Sequence, residues 1–233
     1  MHGTVQSPFF LNTRHIPLLQ NALLSWFSQH GINYPWRQTS INLFQLVITE
    51  CLLQRTRAET VATYWPQFFN EVQNWETLIT IDKERLAELL TPFGLVQART
   101  RNLQALAWEI LDRDECLPHT PEALMELPGV GHYIANAIRL LVFEEPVPLL
   151  DVNFARVIER LYGPRRMADI RCDPKLKHLA ECIVNSPSAR ELNWAVLDLA
   201  KTTCTANRPH CEACPLSSYC LFYNNSRKGT ARK

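Results

Sequence analysis

Leu127-Pro128-Gly129-Val130-Gly131, followed by the apolar run His132-Tyr133-Ile134-Ala135-Asn136-Ala137-Ile138-Arg139-Leu140-Leu141-Val142, decides how this chain folds. Two glycines around one aliphatic residue predict a very tight turn between helices, since glycine tolerates positive φ and lets another backbone come close. The turn leaves amides unpaired at the start of the next helix. With the positive end of the helix dipole they form a phosphate site that needs no basic side chain. Gly129, Val130, Gly131 and His132 are its residues, with Val130 plugging the turn from inside. A plain helix–helix corner suits the same residues, and for an isolated motif of this kind it is the commoner use.

Working outward, the chain reads as all-α. It has only seven glycines in 233 residues, no strict apolar alternation, and apolar residues at helical spacing throughout. Helices are predicted over residues 18–26, 43–53, 61–69, 86–90, 103–110, 121–126, 134–142, 152–162, 176–184 and 192–200, with most prolines falling between them. Asn224 to Lys233 reads as a disordered tail. A hydrophobic content of 46% is ample for a core. No apolar run approaches the roughly 18 residues of a membrane span, and Asn12, Arg14, His15 and Gln20 interrupt the N-terminal stretch. The expectation is a soluble, cytoplasmic, monomeric protein with no membrane partner, associated with the nucleoid if the source is prokaryotic.

A net charge of +1 argues weakly against a nucleic-acid partner, but the charge is unevenly spread. Residues 71–126 carry net −6, residues 160–190 net +4 and residues 201–233 net +5, which makes the C-terminal third the expected phosphate-facing part.

Four of the eight cysteines, Cys204, Cys211, Cys214 and Cys220, fall within seventeen residues as C-x6-C-x2-C-x5-C. Spacing this tight implies a metal centre, because stable disulfides are rare in a reducing compartment. Four thiolates suit tetrahedral zinc. A single C-x2-C flanked by longer arms also suits a loop wrapped around an iron–sulfur cubane. The chemistry alone leaves the two even. Cys51, Cys116, Cys172 and Cys182 are scattered and receive no role.

Twenty residues past Gly131, Asp151 opens Asp151-Val152-Asn153-Phe154-Ala155-Arg156-Val157-Ile158. Taken alone, it is a helix N-cap worth about 1 kcal/mol.

Hairpin, following aspartate and C-x6-C-x2-C-x5-C, in that order, resemble the endonuclease III and adenine glycosylase (MutY) branch of the helix-hairpin-helix DNA glycosylases, the HhH-GPD group. The likeness extends through Pro35-Trp36-Arg37, Ile48 to Thr56, Gly94-Leu95 with Arg99, and Leu192-Asn193 to Asp198, about residues 20–222. It implies that the four cysteines bind a [4Fe–4S] cluster. It also implies two helical domains, a six-helix barrel with the hairpin at 31–145 and a cluster domain made of 1–30 and 146–233. Double-stranded DNA holding a mismatched or damaged base would lie in the cleft between them, with Asp151 at its mouth.

Where bifunctional members carry a lysine that forms a Schiff base with the sugar, this chain has Tyr133. A phenol forms no imine, so the expected product is an intact strand with an abasic site, without strong AP-lyase activity. Tyr133 resembles the thymine and uracil mismatch glycosylases, as do Ile48-Thr49-Glu50 and Asp151-x-Asn153-Phe154-x-Arg156-Val157-Ile158. Adenine glycosylases typically add a C-terminal domain, whereas here thirteen residues follow Cys220. The resemblance therefore implies excision of thymine or uracil opposite guanine. The alternatives are an adenine glycosylase without its second domain (acting on A·G or A·8-oxoguanine), a glycosylase for another modified pyrimidine, and a non-catalytic iron–sulfur DNA-binding protein.

In that reading Asp151 stabilises positive charge on the sugar and positions water, and Gln54 and Arg55 fill the vacated base stack and hold the orphan guanine, with a solvated helix terminus as their equal alternative. Leu43, Leu46, Val47 and Leu53 share Glu50's helical face, so its pKa is expected to rise, which suits help to a leaving base. A pairing of Glu50 with Arg37 competes with that role. Tyr133 stacks on base or sugar, or is a plain core tyrosine. Asp198 is taken as structural, capping or bridging to the other domain.

Overall fold

The computed structural model describes residues 14–230. Within them it has twelve α-helices and no strand, as the helical periodicity predicts. They are α1 (Ile16–His30), α2 (Leu43–Leu53), α3 (Ala58–Glu71), α4 (Trp75–Thr80), α5 (Lys83–Leu90), α6 (Val96–Leu111), α7 (Pro121–Glu126), α8 (His132–Leu141), α9 (Val152–Tyr162), α10 (Pro174–Val184), α11 (Ala189–Thr202) and α12 (Leu221–Thr230). No helix among the described residues is long and apolar enough to cross a membrane.

The chain forms two compact units, Asn33–Glu145 and a second made of Met1–Ile32 with Pro146–Lys233. The first holds α2 to α8, seven helices where the resemblance implied six. Residues 75–90 account for part of the difference, since Asn74 caps α4 and Asp82 opens a new helix, α5, two residues after α4 ends. Its core gathers Val47, Ile48 and Leu52 of α2, Phe68 and Phe69 of α3, Trp75 of α4, Leu103 and Leu106 of α6, and Ile134 and Ile138 of α8. Phe44 meets Trp75 and Phe69 edge-on, a geometry that favours aromatic pairs beyond the area they bury.

In the second unit α1 packs on α10 and α11, which explains how a segment from the chain's start joins its end. Leu19 and Leu23 of α1 are fully buried there with Phe154, Leu179, Leu192 and Val196. The tail expected to be disordered from Asn224 is instead the helix α12 as far as Thr230. It begins on the Asn224 amide bonded to the Cys220 carbonyl (3.0 Å) and packs on α9. Residues 231–233 of that expected tail lie outside the described residues.

Asp173 is the fully buried charge of this unit. Its Oδ1 accepts from the Leu176 amide (2.8 Å) to cap α10. Its Oδ2 accepts from the Arg166 (2.5 Å) and Met167 (2.9 Å) amides, fastening the loop that follows α9. Burial alone would raise its pKa, but the amides outweigh burial and hold it below the usual carboxylate value. A lowered folded pKa contributes stability above the unfolded value of about 3.9 and loses it as pH falls toward the folded one. Asp173→Ala removes the acceptor of one buried and two part-buried amides and is expected to cost about 2 kcal/mol in urea unfolding at neutral pH, with the gap to the parent closing in acid.

Candidate functional site

In the first unit, α2 is started by a capping box. Asn42 Oδ1 accepts from the Gln45 amide (2.8 Å) and Gln45 Oε1 from the Asn42 amide (3.3 Å). The helix is buried on most sides, so Glu50 in its last turn has little room for water and is only 6% exposed. Burial pushes its pKa up to about 7, and the positive charge of Arg37 opposes that only in part. Glu50 Oε2 has no hydrogen-bond partner. A buried, bare carboxyl oxygen is costly to keep unless it has work to do. One residue earlier, Thr49 accepts from Trp65 Nε1 (2.8 Å) and donates to the Gln45 carbonyl (2.6 Å), which fixes this face of α2.

The end of α2 is held by a residue whose role was not anticipated. Arg99, buried on α6, donates to the carbonyls of Cys51, Gln54 (2.5 Å) and Gly94 (3.0 Å) and to Thr56 Oγ1 (2.8 Å). Arg55 beside it is exposed and left-handed at φ +55°. Gln54 reaches the hairpin and donates from Nε2 to the Gly129 carbonyl (3.1 Å).

The hairpin joins α7 to α8 as predicted. Gly129 has φ +78°, and a Cβ there would lie 3.3 Å from that of Asn102. Gly131 differs from the expectation, because its backbone is extended (φ −102°, ψ −178°) and nothing lies where a Cβ would go. Its value is the open space. No side chain caps α8, and the helix opens at the exposed residues Gly131 and His132. Val130 is buried in the core, and Tyr133 on the first turn is half-buried.

In the second unit Asp151 is half-buried and caps α9. Oδ1 accepts from the amides of Asn153 (2.9 Å) and Phe154 (2.7 Å), and Oδ2 from Asn153 Nδ2 (2.8 Å). Asn193 fixes the approach to it, accepting from the Leu149 amide (2.7 Å) and donating to the Val147 carbonyl (3.1 Å). Asp198 is buried and accepts from the Ile32 amide (2.8 Å), a structural contact made within its own unit and not the bridge to the other domain that was also expected. Two arginines received no role from the sequence, though Arg156 lies in the matched motif after Asp151. Arg156 links Asn153 Oδ1 (3.0 Å) to the carbonyls of Ala200 (2.8 Å) and Cys204 (3.0 Å), and Arg160 one turn later also binds the cysteine loop. Their spacing of four residues on α9 was the available signal.

All eight cysteines are free thiols. Cys204, Cys211, Cys214 and Cys220 are brought together. Burial and then its three partners push Cys214 up to about 11, against the Leu216 amide, and Cys211 is raised by burial and by Cys220 and Cys204, against Arg160. Among the described residues no three His, Cys, Asp or Glu side chains close up as ligands of one metal ion.

With this geometry established, residues 48–182 match the HhH-GPD superfamily of base excision DNA repair proteins. The chain is 35% identical to a thymine-DNA glycosylase of Aeropyrum pernix, over 93% of this chain and 99% of that protein. It is 30% identical to an adenine DNA glycosylase of Mycobacterium tuberculosis, over 93% of this chain and 71% of that protein. The solved structure of a thermostable thymine-DNA glycosylase superposes with a TM-score of 0.84 at 28% identity, covering 92% of this chain and 99% of the other. With a family match over more than half its residues and a relative aligned end to end, the chain belongs to the HhH-GPD superfamily of base excision DNA repair proteins.

Proposed function

We propose that this protein is a monofunctional DNA glycosylase that hydrolyses the N-glycosidic bond of thymine or uracil mispaired with guanine. Kinship with a thymine-DNA glycosylase along nearly its whole length carries the reading. Uracil is thymine without its methyl group, so a pocket shaped for thymine admits it. Tyr133 supports the monofunctional part, since its phenol cannot form an imine. The adenine-specific alternative draws on the second relative, and the substrate panel below decides between them.

The open amides of α8, beside Gly129, Val130, Gly131 and His132, bind a backbone phosphate with the helix dipole behind them. The target nucleotide rotates out of the duplex, most cheaply at a mispair. Gln54 and Arg55 fill the gap and hold the orphan guanine. Glu50, protonated near neutrality, donates to an oxygen of the leaving base, for which its bare Oε2 and raised pKa are suited. Asp151 supplies negative charge to the sugar as positive charge develops and positions the water that adds to it. Tyr133 stacks on base or sugar.

Cys204, Cys211, Cys214 and Cys220 hold a [4Fe–4S] cluster. A single C-x2-C flanked by longer arms suits a loop wrapped around a cubane. Bound, the cluster supplies a rigid charged core to the loop. We place the protein in the cytoplasm.

Duplexes holding G·T, G·U, A·G and A·8-oxoguanine, with and without alkali, test the assignment. Bases should leave the first two only, and strands should break only with alkali. Excision confined to the adenine pairs would overturn the pyrimidine reading. Asp151→Asn keeps a good N-cap, so the variant should fold while single-turnover excision falls about 100-fold or more. Parent-like excision by that variant rules out the role given to Asp151. Glu50 is active when protonated, so excision should decline as pH rises through about 7, and Glu50→Gln should flatten that profile.

A further inference from the structure

We infer that Arg160 is the positioning residue that shapes the cysteine loop to receive its cluster and tunes the cluster once bound, with Phe222 as its cover. This rests on the reading of the four cysteines as cluster ligands.

The loop after α11 has little regular structure, so its carbonyls need partners from elsewhere. Arg160 supplies them. Nη1 donates to the carbonyls of Cys204 (3.2 Å) and Thr205 (2.7 Å), and Nη2 to that of Ala206 (2.9 Å). Three successive carbonyls turned toward one guanidinium impose a tight curve on residues 204–206, immediately after the first cysteine. The same Nη1 lies 3.2 Å from Cys204 Sγ, and the Arg160 carbonyl accepts from Cys220 Sγ (3.3 Å). One residue thus touches the first and the last of the four thiols, sixteen positions apart. The ring of Phe222, on α12, stands 5.0 Å from the guanidinium carbon and shields it on one face.

A lysine cannot replace this arrangement. Its ammonium is a compact point charge, whereas the planar guanidinium presents a fork of donors wide enough for several carbonyls and a sulfur at once. The contact with Sγ has a consequence that packing alone lacks. Hydrogen bonds to cluster sulfurs help set the reduction potential, and a donor stabilises the more negative, reduced form. Losing it drives the potential more negative.

The test compares the parent with Arg160→Gln, Arg160→Lys and Phe222→Leu, all purified anaerobically. Iron and sulfide per chain, the rate at which visible absorbance bleaches under a chelator, the reduction potential, and helical circular dichroism are measured. Arg160→Gln should keep its helicity, hold less than about half of the parent's iron and bleach about fivefold faster or more. Arg160→Lys should fall between them in retention, with a more negative potential, and Phe222→Leu should bleach modestly faster. Should Arg160→Gln fail to fold, the potential of Arg160→Lys decides. A loaded parent whose Arg160 variants match it in iron, bleaching and potential sinks this inference alone. A parent without iron sinks the ligand reading and this inference with it.

Discussion

Every helix opens with amides that have no partner inside it, and meeting that demand organises both units of this protein. Asn42, Asn74, Asp82, Thr120, Asp151 and Asp173 each turn a side-chain oxygen back onto the helix that follows. α8 opens on Gly131, which has no side chain to turn. In an account of stability alone this is a small weakness, a few tenths of a kcal/mol. With Gly129 bending the chain sharply beforehand and empty space in front, the same amides can serve a phosphate. Asp151 sits at the other extreme, since its cap is complete. Satisfying the helix and presenting a fixed carboxylate are one act there.

The two carboxyl groups given chemical roles differ in surroundings rather than in kind. Glu50 is enclosed by α2's apolar neighbours, and its Oε2 meets no donor. Asp151 is half-open and meets three N–H donors within 3 Å. Divergent environments of this kind let one carboxyl hold a proton while another stays charged at the same pH. Arg99 and the Asn42 capping box serve this division, because they fix both ends of α2 and so leave Glu50 no escape to solvent.

How much the sequence reveals depends on how local each feature is. The hairpin, the four cysteines and Asp151 are legible because their physics is contained in a few neighbouring residues. The burial of Glu50 is legible too, since Leu43, Leu46, Val47 and Leu53 mark its face by helical spacing. α4 is missed although α7, equally short, is not, because α7 carries a proline at its first position and α4 opens on Asn74 with none. α12 is missed because its sequence is polar and its stability comes from packing on α9. Arg156 and Arg160 are missed for a different reason. Their partners are chiefly main-chain carbonyls more than forty residues away, and a carbonyl leaves no mark on the sequence.

The same blindness distorts a reading of charge. Residues 160–190 carry net +4 and read as a surface for phosphates, yet several of those cations already have partners within the protein. Arg160 is committed to the cysteine loop, Arg165 to Glu159, Arg171 to Asp169, and Lys175 to the carbonyls of Tyr162 and Gly163. In the acidic stretch, Glu71 and Glu88 share Arg85, and Glu109 holds Arg113. Pairs inside a stretch are already cancelled in its net charge, so what the count misses is Arg165 held by Glu159 and the cations of Arg160 and Lys175 turned onto carbonyls. Amide donors at a helix start do not enter such a count, so a chain of net charge +1 can still hold a phosphate at α8.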